Sequence, residues 1–259
     1  TSMNDEQLLR FSRQIMLPDF DIAGQERLLS AKVLLIGLGG LGSPIAMYLG
    51  AAGVGELVLV DDDHVDASNL QRQIAHREQD VGINKAQSAA RAVKDLNSNT
   101  RVTIIERRLA GAKLASQIDY VDLVVDATDN FDSRYLVNQL CWQTQTPLVS
   151  GAAIRWEGQI SVFDPTNADS PCYQCLYPES DTSSNGTALN CSENGVIAPL
   201  VGIIGSCQAL EAIKYLAGVG TSLVGYTLFF DGKYMEWRRL KLSKAKECPI
   251  CSQSRWQKD

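Results

Sequence analysis

The chain has 259 residues, 45% of them hydrophobic, which is enough for one large α/β domain or two small ones and excludes disorder. Its formal charge of -6 argues against a general nucleic-acid or membrane-surface binder, because a polyanionic target would repel its average field. No stretch approaches the ~20 apolar residues that span a bilayer, and the polar start at 1–10 has no secretory apolar region, so a cytoplasmic protein with no membrane partner is expected.

The elements run as follows. Arg10 and Arg13 stand three apart on a predicted N-terminal helix, as a functional cationic pair or as a solvated face. The apolar run 33–36 leads into GLGGLG at 37–42 and an Ala/Leu-rich segment to about residue 52, which reads as strand, tight turn and helix. A second strand, 57–60, ends at three aspartates, 61–63. A helix at 85–96 and a third strand at 102–105 follow. Residues 121–125 form a fourth strand ending in DATDN at 126–130, then a helix at 131–144 and a short strand at 148–149. This alternation predicts a Rossmann-like, doubly wound α/β sheet, parallel in its first half and covered on both faces. Beyond 151 the sheet is expected to become mixed. Residues 159–163 alternate like an exposed strand, 179–193 reads as a long loop, 199–216 as an apolar helix with Pro199 in its first turn, and 227–231 with 234–242 as a hairpin. No internal repeat or linker forces a domain boundary.

The GxGxxG pattern of Gly37, Gly39 and Gly42 places backbone N–H groups and a helix N-terminus where an anion binds, and Asp61 ends the next strand where it suits ribose hydroxyls. The same glycines could serve only close helix-to-strand packing, and a P-loop is excluded because no GK[ST] follows. Asn69, Arg72, Gln73 and Lys85 bring amides and cations toward the same sheet edge, more neutralisation than a dinucleotide pyrophosphate needs. Asp126 and Asp129 sit at the carboxyl end of the fourth strand, where one carboxylate suffices to hold magnesium beside phosphate oxygens. The alternative work there is capping the helix at 131, open to Asp129 or Asn130.

Four of the seven cysteines form two C-x-x-C pairs, Cys172 with Cys175 and Cys248 with Cys251. This spacing fits a closed tetrahedral zinc site that staples the C-terminus onto the segment after residue 163; a redox pair is the alternative. Cys141 and Cys207 fall on apolar helices and read as core residues, and His64 and His76 as structural.

Together RQI at 13–15, GLGGLG at 37–42, SNLQRQ at 68–73, DATDN at 126–130, GAA at 151–153 and the paired C-x-x-C motifs resemble the bacterial MoeB/ThiF family, the ancestors of ubiquitin-activating enzymes, over 8–251. The resemblance implies an adenylyltransferase that uses ATP to activate the terminal glycine carboxylate of a small β-grasp sulfur carrier ending in Gly-Gly. It implies Gly39 and Gly40 at the phosphates, Asp61 at the ribose, Asn69, Arg72 and Lys85 around the triphosphate, Asp129 on Mg2+, and Zn2+ on the four cysteines. Arg13 matches the residue supplied to the neighbouring subunit's site, implying a homodimer. Cys191 matches a position where some members link covalently to the carrier, and an inert loop thiol is the equal alternative.

One E1-like adenylation domain, 1–259, would then carry a helical arm at 1–30, a nucleotide half at 31–150 and a carrier-binding half with the zinc site at 151–259. A glycine carboxylate, with an ordinary pKa of about 3.5, needs no general base, in keeping with only two histidines. GAAIRWEG at 151–158 is similar to the molybdopterin branch, which we favour, whereas the three aspartates at 61–63 and FDGK at 230–233 look like the thiamine branch. The chain ends at Asp259, so the rhodanese domain of some eukaryotic relatives is expected to be absent and a separate sulfur-donor protein to act. A nicotinamide dehydrogenase and a non-catalytic zinc-containing binding module are the rival classes.

Overall fold

The computed structural model describes residues 2–179 and 194–252, so Cys191 and nearly all of the predicted loop at 179–193 lie outside the described residues. Eight strands form one sheet in the order β3-β2-β1-β4-β5-β6-β7-β8. The strands are β1 Lys32–Ile36, β2 Glu56–Val60, β3 Arg101–Ile105, β4 Leu123–Asp126, β5 Leu148–Ile154, β6 Glu157–Phe163, β7 Tyr226–Asp231 and β8 Glu236–Lys241. The first five are parallel neighbours and β5 to β8 pair antiparallel, so the sheet is parallel first and mixed afterwards.

Two apolar layers sandwich the sheet. On one face α4 (Gly42–Ala52), α5 (Lys85–Leu96) and α9 (Ala198–Ala217) pack over Val33, Leu35, Leu57 and Ile160. On the other, α6 (Gly111–Tyr120), α7 (Phe131–Thr144) and the short α8 (Tyr173–Leu176) cover Leu34, Val124 and Phe163. Alternate strand residues therefore serve opposite layers, and each fully buried Leu or Val stabilises the fold by about 2 kcal/mol relative to exposure. Helix α5 shows why its residues form a helix: Ala86, Ala89, Ala90 and Val93 recur at i, i+3, i+4 and i+7 and are all buried, and the Asn84 side chain caps the first turn.

The N-terminal arm comprises α1 (Asp5–Arg10), α2 (Ser12–Ile15) and α3 (Asp21–Ser30). It is tied down by Arg10 Nη1 donating to the Leu96 carbonyl at 2.9 Å and by Gln25 Nε2 donating to the Ala52 carbonyl at 2.9 Å.

Four readings of the sequence change here. Helix α6 lacked a side-chain cap and buries only Leu114 and Ile118, too faint a pattern to mark it. Strand β5 runs seven residues rather than two, because it pairs with β6 along its full length after leaving β4 at Ser150. Strand β6 is interior, not exposed: β7 lies beyond it, α9 covers one face, and on the other the Ser161 hydroxyl pairs with that of Thr227 at 2.6 Å. Helix α9 is long and apolar enough to cross a membrane by length and composition, against the expectation that no stretch was; it is half buried against α3, α4, β5 and β6, as a core helix is.

Candidate active site

The strand order reverses direction beside β1, so the carboxyl ends of β1 and β4 flank the place where open α/β sheets bind ligands. A cavity of about 800 Å³ opens there. One wall is the turn between β1 and α4. Gly37 has φ +96°, and a Cβ on it would meet the Ala127 carbonyl oxygen at 2.5 Å; a Cβ on Gly42 would sit 1.9 Å from the Gly37 carbonyl oxygen. Both glycines are therefore demanded by backbone proximity, and Gly39 and Gly40 line the cavity.

His76 supports this turn from beneath: its Nε2 donates to the Leu38 carbonyl at 2.8 Å and its Nδ1 lies 2.7 Å from the Ser88 hydroxyl. The ring is buried, as a structural histidine should be. Asp61, at the end of β2, accepts from the backbone N–H groups of Leu38 and Asp63, both at 2.8 Å. Burial nevertheless outweighs these bonds and holds its carboxyl above the usual range. Lys85, the first residue of α5, is buried, with its ammonium 2.9 Å from Asp63. Burial raises the Asp63 pKa and the bond from Lys85 lowers it; the net direction is down.

Asp126 and Asp129 divide the work expected of them. Asp126 is buried and accepts from Thr128, at 2.9 Å from the backbone N–H and 2.7 Å from the hydroxyl. Asn130, not Asp129, caps α7 by accepting from the Ser133 N–H at 2.8 Å. Asp129 is thus released from capping; it is exposed and faces the cavity.

Of the residues singled out in the sequence, Gly39, Gly40, Asp61, Arg72, Gln73, Lys85 and Asp129 meet in this one cavity. Asn69 does not line it; its side chain accepts from the Asp66 N–H at 2.8 Å in a short capping turn. Arg13 is exposed on α2 and lies outside the cavity of its own chain.

Arg107, Arg108 and Arg134 also line the cavity and were not anticipated. The two arginines after β3 obey the same strand-end rule that located Asp61 and would have been found by applying it to every parallel strand. Arg134 stands four residues past the Asn130 cap on α7, and no local sequence signal marks it.

The four cysteines of the C-x-x-C pairs converge at the start of α8, with all sulfurs within 4.8 Å of one another. A regular tetrahedron with metal–sulfur bonds of about 2.3 Å requires sulfur separations of roughly 3.8 Å. The observed separations are 4.0 Å for Cys172–Cys175, 3.6 Å for Cys172–Cys248 and 3.4 Å for Cys175–Cys251. The Ala245 N–H points at the Cys175 sulfur at 3.4 Å, as it would toward a thiolate. The donor set and its geometry are consistent with a zinc site.

The model of the ThiF family matches residues 11–250. The chain belongs to the ThiF family, the E1-like adenylyltransferases. It is 45% identical over 251 residues to the molybdopterin-synthase adenylyltransferase of Escherichia coli (strain K12), covering 97% of this chain and 99% of that one. It is 43% identical over 252 residues to the sulfur carrier protein ThiS adenylyltransferase of the same organism, covering 97% and 98%. A crystal structure of E. coli MccB with MccA-N7isoASN superposes with a TM-score of 0.82 at 21% identity, over 96% of this chain and 76% of that one, a likeness of fold. The two E. coli relatives are equally similar within a few per cent, so membership in the ThiF family fixes the class of enzyme and leaves its pathway open.

Proposed function

We propose that this ThiF-family chain adenylates the C-terminal glycine carboxylate of a small β-grasp sulfur carrier ending in Gly-Gly, using ATP and releasing pyrophosphate. The single observation that carries the reading is the convergence, in one cavity at the carboxyl ends of β1 and β4, of a glycine turn, Arg72, Lys85 and the uncommitted carboxylate of Asp129. A carboxylate oxygen attacks the α-phosphorus; the bond from that phosphorus to the bridging oxygen breaks, and its electron pair leaves with pyrophosphate. The nucleophile is already ionised at neutral pH, so the chain's task is to bring two anions together.

Backbone donors around Gly39 and Gly40 would cradle phosphate oxygens, and Asp61 would take the ribose hydroxyls. Arg72 and Lys85, with Gln73 beside them, would neutralise the triphosphate, with Asn69 reaching the same edge on ligand binding. Magnesium, when bound, supplies further charge neutralisation at the phosphates, and Asp129 is the residue that would hold it. The cavity continues past Gln159 and Tyr177 along β6, which gives an extended Gly-Gly tail a route to the α-phosphate. Zinc on the four cysteines would be structural, since all four tetrahedral positions are taken by thiolates.

A second copy of the chain completes the proposal. Arg13 is exposed on an arm whose Leu9, Met16 and Leu17 are 78%, 71% and 53% accessible, apolar surface that suits a homodimer in which Arg13 enters the partner's site. The molybdopterin carrier is our first choice and the thiamine carrier the second, each loaded with sulfur by a separate donor protein in the cytoplasm.

The test is carrier-dependent exchange of labelled pyrophosphate into ATP, run with purified carriers of both kinds. Exchange with at least one is expected; a folded, ATP-binding sample that supports exchange with neither overturns the reading and favours a binding module. Binding of NAD in place of ATP would favour the dehydrogenase.

A further inference from the structure

The segment from Asp126 to Asn130 carries the residue proposed above to hold magnesium, yet among the described residues the Asp129 side chain is anchored only by a 3.4 Å contact between its Oδ1 and the Asn130 amide. Its position must come from the backbone around it. Three groups fix that backbone. The Asp126 carboxylate folds back on Thr128 through the two bonds given above. Gln208, buried on α9, donates through Nε2 to the Asp126 carbonyl at 3.0 Å. Arg134, on the first turns of α7, donates through Nη2 to the Thr128 carbonyl at 2.7 Å.

Arg134 is the unusual member. It is 9% exposed and lines the cavity, its Nε has no hydrogen-bond partner among the described residues, and Tyr173, the buried Asp126 carboxylate and Tyr177 are near enough to favour its charge against the cost of burial. Burying a cation with an unmade bond is costly, and such a group calls for an explanation in the site it lines. A guanidinium fork also suits this place because its planar donors can hold a carbonyl at a fixed angle.

We propose that Arg134 is a positioning residue: by clamping the Thr128 carbonyl, its guanidinium fixes the turn that presents Asp129 to a magnesium–nucleotide complex. The inference rests on the reading of Asp129 as the magnesium-holding residue. Gly37 lies against the same segment, since a Cβ on it would meet the Ala127 carbonyl oxygen at 2.5 Å, so the Asp129 turn and the glycine turn are packed together.

The experiment compares Arg134→Gln, Arg134→Lys and Asp129→Asn in the full chain with its zinc content verified. Two readouts are taken: hydrogen–deuterium exchange of amides 127–130 without ligand, and Mn2+ binding by paramagnetic resonance in the presence of a non-hydrolysable ATP analogue. Arg134→Gln should speed exchange in that segment and weaken Mn2+ binding by about tenfold, the usual effect of removing a group that orients a metal ligand. Arg134→Lys, which keeps the charge and one donor, should recover part of both, and it carries the test should Arg134→Gln not fold.

Wild-type exchange and Mn2+ affinity in both Arg134 variants overturn the inference. Should Asp129→Asn leave Mn2+ binding unchanged while the Arg134 variants weaken it, the reading of Asp129 is what fails, and the positioning role through it fails as a consequence. Weakening in Asp129→Asn alone sinks only the role of Arg134.

Discussion

The two ends of the sheet are built on opposite logics. At the parallel end the site is made of strand termini and tight turns, where Gly37 and Ala127 touch through backbone and polar side chains such as those of Asp126, Asn130 and His76 brace neighbouring loops. At the antiparallel end, Cys172 and Cys248 lie 76 residues apart in sequence and meet through their sulfurs, so the staple depends on side chains rather than on strand geometry. The first arrangement gathers charged side chains in one cavity; the second closes a long loop and holds the C-terminal segment down. If this division holds, damage at one end should leave the other largely intact.

The largest expected effect is on the chemistry. Asp129→Ala should lower carrier-dependent pyrophosphate exchange at least about 10³-fold, on the order of 4 kcal/mol in the transition state. The thermal midpoint and bound zinc should stay at wild-type values, because the side chain that caps α7 is that of Asn130, not Asp129. A variant that keeps its exchange rate would place the metal elsewhere; one that also loses zinc would break the separation of the two ends.

Next comes the staple. Cys248→Ser removes one of four sulfurs and should cost roughly 3 kcal/mol of stability, with zinc measured by elemental analysis falling well below one per chain. ATP affinity by calorimetry, taken below the lowered midpoint, should remain within about threefold of wild type, a difference of less than 1 kcal/mol. A collapse of ATP binding in parallel with zinc loss would show that the staple also shapes the nucleotide end.

A smaller change tests the border of the Asp129 turn. Asn130→Ala deletes the side-chain acceptor for the Ser133 N–H and should destabilise the chain by about 1 kcal/mol, read as a lower denaturant midpoint at unchanged slope. Asn130→Asp should restore most of it, since a carboxylate caps as well and favours the helix N-terminus. Equal loss in both would mean that the amide of Asn130, through its contact with Asp129, matters more than its carbonyl.

How far these features could be read in advance follows the same division. The glycine turn, Asp61, Lys85 and Asp129 were legible because short contiguous motifs carry them and strand ends converge by rule in a doubly wound sheet. The cysteine staple was legible for a different reason: a repeated C-x-x-C has few other uses at that spacing. Strand β6 was misread because Gln159 and Ser161 imitate a solvent face, and the Tyr177 and Thr227 hydroxyls, distant in sequence, are what cover that polar side. Helix α6 escaped because two buried residues make no periodicity. Arg134 drew no notice in the sequence, and its burial together with its bond to the Thr128 carbonyl is what distinguishes it. Which groups brace a turn from another element is a tertiary fact that local pattern does not encode.

The smallest expected effect lies beneath the glycine turn. Burial, the first cause, pulls the His76 pKa below its ordinary value of about 6.5, and the nearby Lys85 charge adds to this; the Leu38 carbonyl, Asp80 and Asp61 oppose it without reversing the direction. The folded chain therefore binds a proton at His76 less readily than the unfolded chain does. Above pH 6.5 both states carry a neutral ring and stability from this residue is fully present. As pH falls from about 6.5 toward the lowered folded value, the unfolded state takes up the proton first, and stability declines across that window. Thermal midpoints recorded from pH 7.5 to 5.5 should thus fall more steeply for the wild type than for His76→Gln, whose amide can still donate to the Leu38 carbonyl and does not titrate. Parallel slopes would mean that His76 takes up its proton equally readily in both states, and a wild-type midpoint that falls less steeply than that of His76→Gln would mean that the ring is protonated in the fold, with the Ser88 hydroxyl between its Nδ1 and Asp80, 3.0 Å from the carboxylate. In that case the glycine turn rests on a charged pillar rather than a neutral one.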